Sequence, residues 1–198
     1  MQNLLYHSTP VIGIKSLSPL SHLGTFEAAL ENYGRKFIDI NITARAEGRD
    51  YELEHEILVC RLKPISNSIG PIADWASPAP LGLLSALRHS FPEIISDDGF
   101  EEFKENCGSD KAYDEPATEM LIKLLSARNI QYVSYSNYLE DRDSISICVV
   151  DPSIIIIEKR LQFTLDQICS SVKGSIVYNC SEHRNFADEL LALLKARI

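Results

Sequence analysis

The stretch that most constrains the fold runs from residue 115 to residue 158. Within EPATEMLIKLLSAR (115–128), Met120, Leu121, Leu124 and Leu125 recur at helical spacing, and Pro116 suits a first turn. QYVSY (131–135) and SISICVV (144–150) then read as strands, with the polar SNYLEDRD between them as a hairpin-like connection. SIIIIE (153–158) reads as a short β-branched strand. Short strands with helices set between them indicate an α+β fold rather than a parallel βαβ series.

The rest of the chain extends this pattern. LLYH (4–7) and HLGT (22–25) read as short strands, and a helix is expected over 26–35 with Thr25 as its N-cap and Gly34 near its end. YELEHEILVCRL (51–62) reads as a strand stopped by Pro64. Residues 66–80, rich in Ser, Pro and Gly, read as loop, and 81–91 as a helix closed by Pro92. The acidic segment 97–115 reads as loop with a helical turn or two. The tail carries a helix at about 161–172, a short strand at 176–178 and a closing helix at about 185–196. The expected division is a main domain over 1–159 and a small C-terminal α/β extension over 160–198.

Composition bounds the function. At 198 residues, 45% hydrophobic and 24% charged, the chain can build a core without metals or disulfides. A net charge of −9 argues against nonspecific binding to nucleic-acid backbones. The five cysteines form no CxxC pair, and no close-spaced Cys/His set suggests a metal site, so no metal is expected. The longest apolar stretch, ICVVDPSIIII, is broken by Asp151 and Pro152 and is too short to span a bilayer. The N-terminus shows no secretory signal, so a cytoplasmic protein with no membrane partner is expected, or an effector delivered by another route. Neither GxGxxG nor GxxxxGK[ST] is present, so neither a Rossmann nor a P-loop nucleotide site is supported.

Three segments carry candidate chemistry: Leu5-Tyr6-His7-Ser8-Thr9, Ser21-His22-Leu23-Gly24-Thr25 followed by Ala28 and Ala29, and Tyr135-Ser136-Asn137-Tyr138-Leu139-Glu140. Taken singly, each has a plain structural reading. A histidine at a strand end is often a hydrogen-bonding scaffold residue, Gly-Thr is a helix start, and a turn glutamate is usually solvated.

Taken in order, they resemble the ADP-ribosyltransferase fold family, in particular the small bacterial and phage domains associated with polyvalent proteins. LeuTyrHisSerThr at 5–9 is similar to the family's opening strand, and HisLeuGlyThr at 22–25 to its second marker. LeuLysPro at 62–64 followed by Asp74 and Trp75, then TyrSerAsnTyrLeuGlu at 135–140 and AspProSer at 151–153, are similar to its later markers. The likeness covers about residues 4–157. It departs at Ser8, where the family often has Gly, at Leu23, where Phe is commoner, and at IleGlnTyr (130–132), where Gly-Tyr-Asp is usual.

The resemblance implies a split β-sheet with an NAD+ cleft, and NAD+ as a substrate with no metal. It implies that His7 bonds a ribose hydroxyl and that the backbone at Ser8, beside Thr9, holds the nicotinamide amide. His22, Gly24 and Thr25 would line the cleft, with Gly24 allowing close approach. Glu140 would be the catalytic carboxylate, with Asp141 as the main rival and Asp143 behind it. Tyr33 and Tyr6 are read either as rings stacked on the ligand or as packing residues, and Asn137 either as a ligand contact or as the residue shaping its turn. Asp74 and Trp75 are read as fixing a loop and filling the core.

The activity implied is mono-ADP-ribosylation of a macromolecule, with a protein acceptor favoured over nucleic acid. Such domains act as toxins and effectors, so an immunity or inhibitor protein is a candidate partner. NAD+ glycohydrolase and a non-catalytic binding module are the alternatives. A 2′-phosphotransferase would need clustered cations, and Lys15, Arg35, Lys36 and Arg45 are too scattered for that.

Overall fold

A computed structural model describes residues 4–51, 56–64, 67–75, 79–106, 115–138, 141–179 and 181–197. The fold is α+β with two sheets, and the chain divides into two compact units. The first comprises residues 1–16, 24–61 and 155–198, the second residues 17–23 and 62–154. This is not the expected split at 159/160: the tail clusters with the opening strand and the first helix.

In the first unit, β1 (Leu5–Thr9) runs antiparallel to β3 (Glu56–Leu62), with His7 opposite Leu58 and Ser8 opposite Ile57. β7 (Ile155–Leu161) completes a three-stranded sheet in the order β1–β3–β7. Helix α1 (Phe26–Ala46) begins where expected, because Thr25 Oγ1 accepts the Ala28 N–H at 3.1 Å. It runs well past Gly34, which lies inside the helix rather than at its end. The reason is tertiary. Gly34 sits against the backbone of Ser171 in α5 (Leu165–Gly174), and Ser171 Oγ donates to the Leu30 carbonyl at 2.6 Å. A glycine that reads locally as a helix stop is here the point of closest helix–helix approach.

Ala29, Tyr33, Phe37 and Ile38 turn the buried face of α1 toward Ile168 and Val172 of α5. Phe186, Leu190, Leu191 and Leu194 of α7 (Ser181–Arg197) complete this core. The strand expected at 176–178 is instead a helical turn, α6 (Ile176–Asn179), started by Ser175 Oγ accepting the Tyr178 N–H at 3.3 Å. A hydroxyl at the turn's entry outweighs the β-propensity of Ile176 and Val177.

In the second unit, β2 (His22–Leu23), β6 (Ser144–Val149), β5 (Tyr132–Asn137) and β4 (Ile69–Ile72) form a sheet in the order β2–β6–β5–β4. β5 and β6 are the expected antiparallel hairpin. β4 lies in the segment read as loop. Its Pro71 is tolerated because β4 lies at the sheet's edge, and Gly70 lets it press against the Ser134 carbonyl of β5. Helices α2 (Pro80–Ser90), α3 (Asp97–Asn106) and α4 (Glu115–Ser126) cover this sheet. Leu84, Leu87, Leu121 and Leu125 pack with Val133 and Cys148 in its core. α3 is longer than the turn or two expected, since Ser96 Oγ caps Gly99 N–H and Arg88 pairs with Asp97 while stacking on Phe100.

Burial pushes the thiols of Cys60 and Cys148 up to about 12. At pH 8 that leaves roughly one thiolate in ten thousand, and the thiolate is the reactive form. Both cysteines are buried, whereas Cys169 is only half-buried. Brief alkylation of the native protein followed by peptide mass analysis is expected to modify Cys169 and to spare Cys60 and Cys148 until the chain is unfolded.

Candidate functional site

In the first unit, the opening motif meets the Gly24–Thr25 end of the second. The Tyr6 N–H donates to the Gly24 carbonyl at 2.9 Å, and the Gly24 N–H returns to the Tyr6 carbonyl at 3.0 Å. This reciprocal pair lays Leu5–Thr9 beside Gly24–Thr25, and Gly24 is buried in the contact. His7 is half-buried in β1. Ser8 and Thr9 are buried and already engaged: Ser8 Oγ donates to Asn32 Oδ1 at 2.9 Å, and Thr9 Oγ1 accepts the Val11 N–H at 3.1 Å. The Ser8 carbonyl accepts from Lys36 Nζ at 3.1 Å. Thr25 Oγ1 caps its helix, so the three hydroxyls all take part in the scaffold.

Tyr33 is at the centre of this unit's core. Its ring packs on Phe163 with centroids 5.0 Å apart and stacks near Phe37 at 6.5 Å, and burial raises its phenol above the ordinary value. At 1% exposure it presents no face for a ligand ring to stack on, so packing is its role. Tyr6 is half-buried, edge-on to Phe26 at 5.3 Å.

One feature escaped sequence reading. Glu56, opposite Thr9 at the start of β3, is buried, accepts the Gly13 N–H at 3.0 Å and pairs with Arg160 of β7. Arg160 also donates to the Ile14 carbonyl. The pair thus clamps the loop that follows Thr9. No local pattern announces it, because its members are 104 residues apart.

In the second unit, His22 is exposed on β2. Its Nδ1 lies 2.9 Å from Tyr135 Oη, and its ring is flanked by Trp75 at 5.5 Å. Trp75 in turn stands edge-on to Tyr135 at 4.8 Å. Trp75 packs partly buried at the margin of the core, as expected, and Asp74 fixes a loop by accepting the Tyr138 N–H at 3.2 Å.

Asn137 ends β5 fully buried. Its amide donates to Ser146 Oγ at 3.0 Å, while its oxygen accepts the Asp141 N–H at 3.4 Å. That geometry makes it the shaper of the β5–β6 turn. Glu140 lies outside the described residues. Of its rivals, Asp141 is half-buried and tied to Asn137 through its backbone. Asp143 is exposed at φ 71°, a turn position. AspProSer at 151–153 is a turn device too: Asp151 accepts the Ser153 N–H at 3.0 Å, and hydrogen bonds from Ser153 hold its carboxyl below the usual range.

Among the described residues, no group of three or more His, Cys, Asp or Glu side chains could hold a metal ion. No described helix is long and apolar enough to cross a membrane.

No protein-family model matches the chain, and no curated protein matches it. Among solved structures it is similar to a chain of the M. tuberculosis MbcT–MbcA toxin–antitoxin complex. The TM-score is 0.42 at 9% identity, over 87% of this chain and 90% of that one. A likeness this distant carries no weight for function.

Proposed function

We propose that the chain is an NAD+-dependent mono-ADP-ribosyltransferase. The observation that carries this reading is the paired hydrogen bonding of Tyr6 with Gly24, which joins the two segments that resemble the family's first two markers. His7 would bond a ribose hydroxyl, the backbone at Ser8 and Thr9 would hold the nicotinamide amide, and Gly24 and His22 would contact the dinucleotide.

The chemistry requires one carboxylate. The bond from nicotinamide N1 to the ribose C1′ breaks, its electron pair leaving with the nicotinamide. A positively charged oxocarbenium-like sugar develops, and Glu140 would stabilise that charge and bond the 2′-hydroxyl. The acceptor's nucleophile then forms the new bond to C1′ while its proton passes to the carboxylate. A protein acceptor is favoured by the net charge of −9, which disfavours broad contact with nucleic acid. Action as an effector restrained by an inhibitor protein belongs to the same proposal.

Incubation with NAD+ labelled on its adenylate half, in a cell lysate, tests the reading. A labelled macromolecule that survives denaturation is expected. Nicotinamide release without any labelled acceptor would replace the transferase with an NAD+ glycohydrolase.

A further inference from the structure

We propose that Asn32 and Lys36 of α1 are positioning residues that fix Ser8 so that its backbone N–H is offered to the carboxamide oxygen of the bound dinucleotide; this rests on NAD+ being the ligand. In an antiparallel pair, a residue's N–H and C=O point to the same side, and that side alternates from one residue to the next. Tyr6 turns both groups away from β3, to Gly24. Ser8, two residues on and opposite Ile57 in the register, therefore also turns both groups away from β3. The Tyr6–Gly24 bridge is isolated, so pairing on that edge of β1 ends before Ser8.

The two edge groups of Ser8 are served differently. Its C=O accepts from Lys36 Nζ at 3.1 Å. Its N–H has no acceptor among the described residues, although Ser8 is only 4% exposed. A buried donor without an acceptor is costly, so the position suits a ligand that brings an oxygen to it. The Ser8 hydroxyl meanwhile donates to Asn32 Oδ1 at 2.9 Å. Asn32 and Lys36 are four residues apart on α1 and so lie on one face of the helix. Their two ties, one at the side chain and one at the carbonyl, hold the rotation of Ser8 about the strand axis, and with it the direction of the N–H. Neither Asn32 nor Lys36 need touch the ligand for this to operate.

The test compares NAD+ with its analogue carrying an unsubstituted pyridinium ring, which lacks the carboxamide oxygen. In the 15N-labelled full chain with backbone signals assigned, NAD+ is expected to move the Ser8 amide proton downfield, and the analogue to leave it in place. The wild type should bind the analogue about tenfold more weakly than NAD+, the worth of about one hydrogen bond. Lys36→Met and Asn32→Ala should each weaken NAD+ binding by up to about tenfold while changing the analogue's Kd by less than about twofold. Lys36→Arg, which restores a donor to the carbonyl, should bind NAD+ within about twofold of the wild type. A purely structural role would weaken both ligands equally, and that result overturns the positioning role while the NAD+ reading stands. So does a Ser8 signal that bound NAD+ leaves in place, or equal wild-type affinity for the two ligands, and these two measurements need no variant to fold. No NAD+ binding by the wild type overturns the NAD+ reading, and this proposal's ligand with it.

Discussion

Arg160→Ala is expected to lower folding stability by about 3 kcal/mol, read as a fall in the urea midpoint at unchanged slope. The magnitude follows from asymmetry of burial. Glu56's side chain is 4% exposed and Arg160's 33%. Removing the guanidinium leaves a carboxylate shut away from water, with only the Gly13 N–H to serve it among the described residues. Such stranding costs several kcal/mol, and the partial exposure of Arg160 puts the effect at the low end. The same change frees the Ile14 carbonyl, so the loop after Thr9 should become more susceptible to limited proteolysis. The double variant Glu56→Gln, Arg160→Met should lose less than Arg160→Ala alone, since no charge is then left buried. A loss below about 1 kcal/mol in Arg160→Ala would mean that Glu56 is solvated and that the clamp is not what holds the loop.

Gly34→Ala should destabilise by about 2 kcal/mol, against the usual trend for a helix interior. There, Gly to Ala gains about 1 kcal/mol from propensity alone. At this site the added Cβ would lie 2.4 Å from the Ser171 carbonyl oxygen and 2.8 Å from its carbon. Those are backbone atoms of α5, so no side chain can rotate away and the helices must part. Overpacking of that kind costs about 1–3 kcal/mol or more, which outweighs the propensity gain. Ser171→Gly should not rescue the variant, because the clash is with the main chain. Thermal unfolding of the two single variants and the double decides it; a Gly34→Ala protein as stable as the wild type would show that the helices approach less closely.

These two positions also show where sequence reading works and where it stops. Local signals were reliable. Thr25 before an Ala-rich run marked the start of α1, and apolar spacing found α4. The polar SNYLEDRD between the strand-like runs 131–135 and 144–150 marked the β5–β6 hairpin. Readings failed where a distant partner changes the meaning of a residue. Gly34 reads as a helix stop until Ser171 is placed against it. Gly70 and Pro71 read as loop until β5 gives them a sheet to border. One miss is local instead: Ile176 and Val177 read as strand, yet Ser175, their neighbour in the chain, caps a helical turn there.

The same holds for the candidate site. The segments 5–9 and 22–25 stand out in the sequence, and the Tyr6–Gly24 bonds lay the first beside the end of the second. The dispositions of their side chains were not. Tyr33 reads as a ring on an amphipathic helix, and only the packing of Phe163 and Phe37 settles which way it faces. The hydrogen bond between Tyr135 and His22 spans 113 residues and has no local trace.

The most direct test of the central claim is the rate of nicotinamide release from NAD+ by the purified protein, set against Glu140→Ala. Wild-type protein should release nicotinamide, and the variant should fall by roughly 10²–10³-fold, the loss expected when a group that stabilises transition-state charge is removed, while remaining folded. Equal rates in the two proteins would contradict the assignment of Glu140, and no release by the wild type with any acceptor supplied would contradict ADP-ribosyl transfer itself.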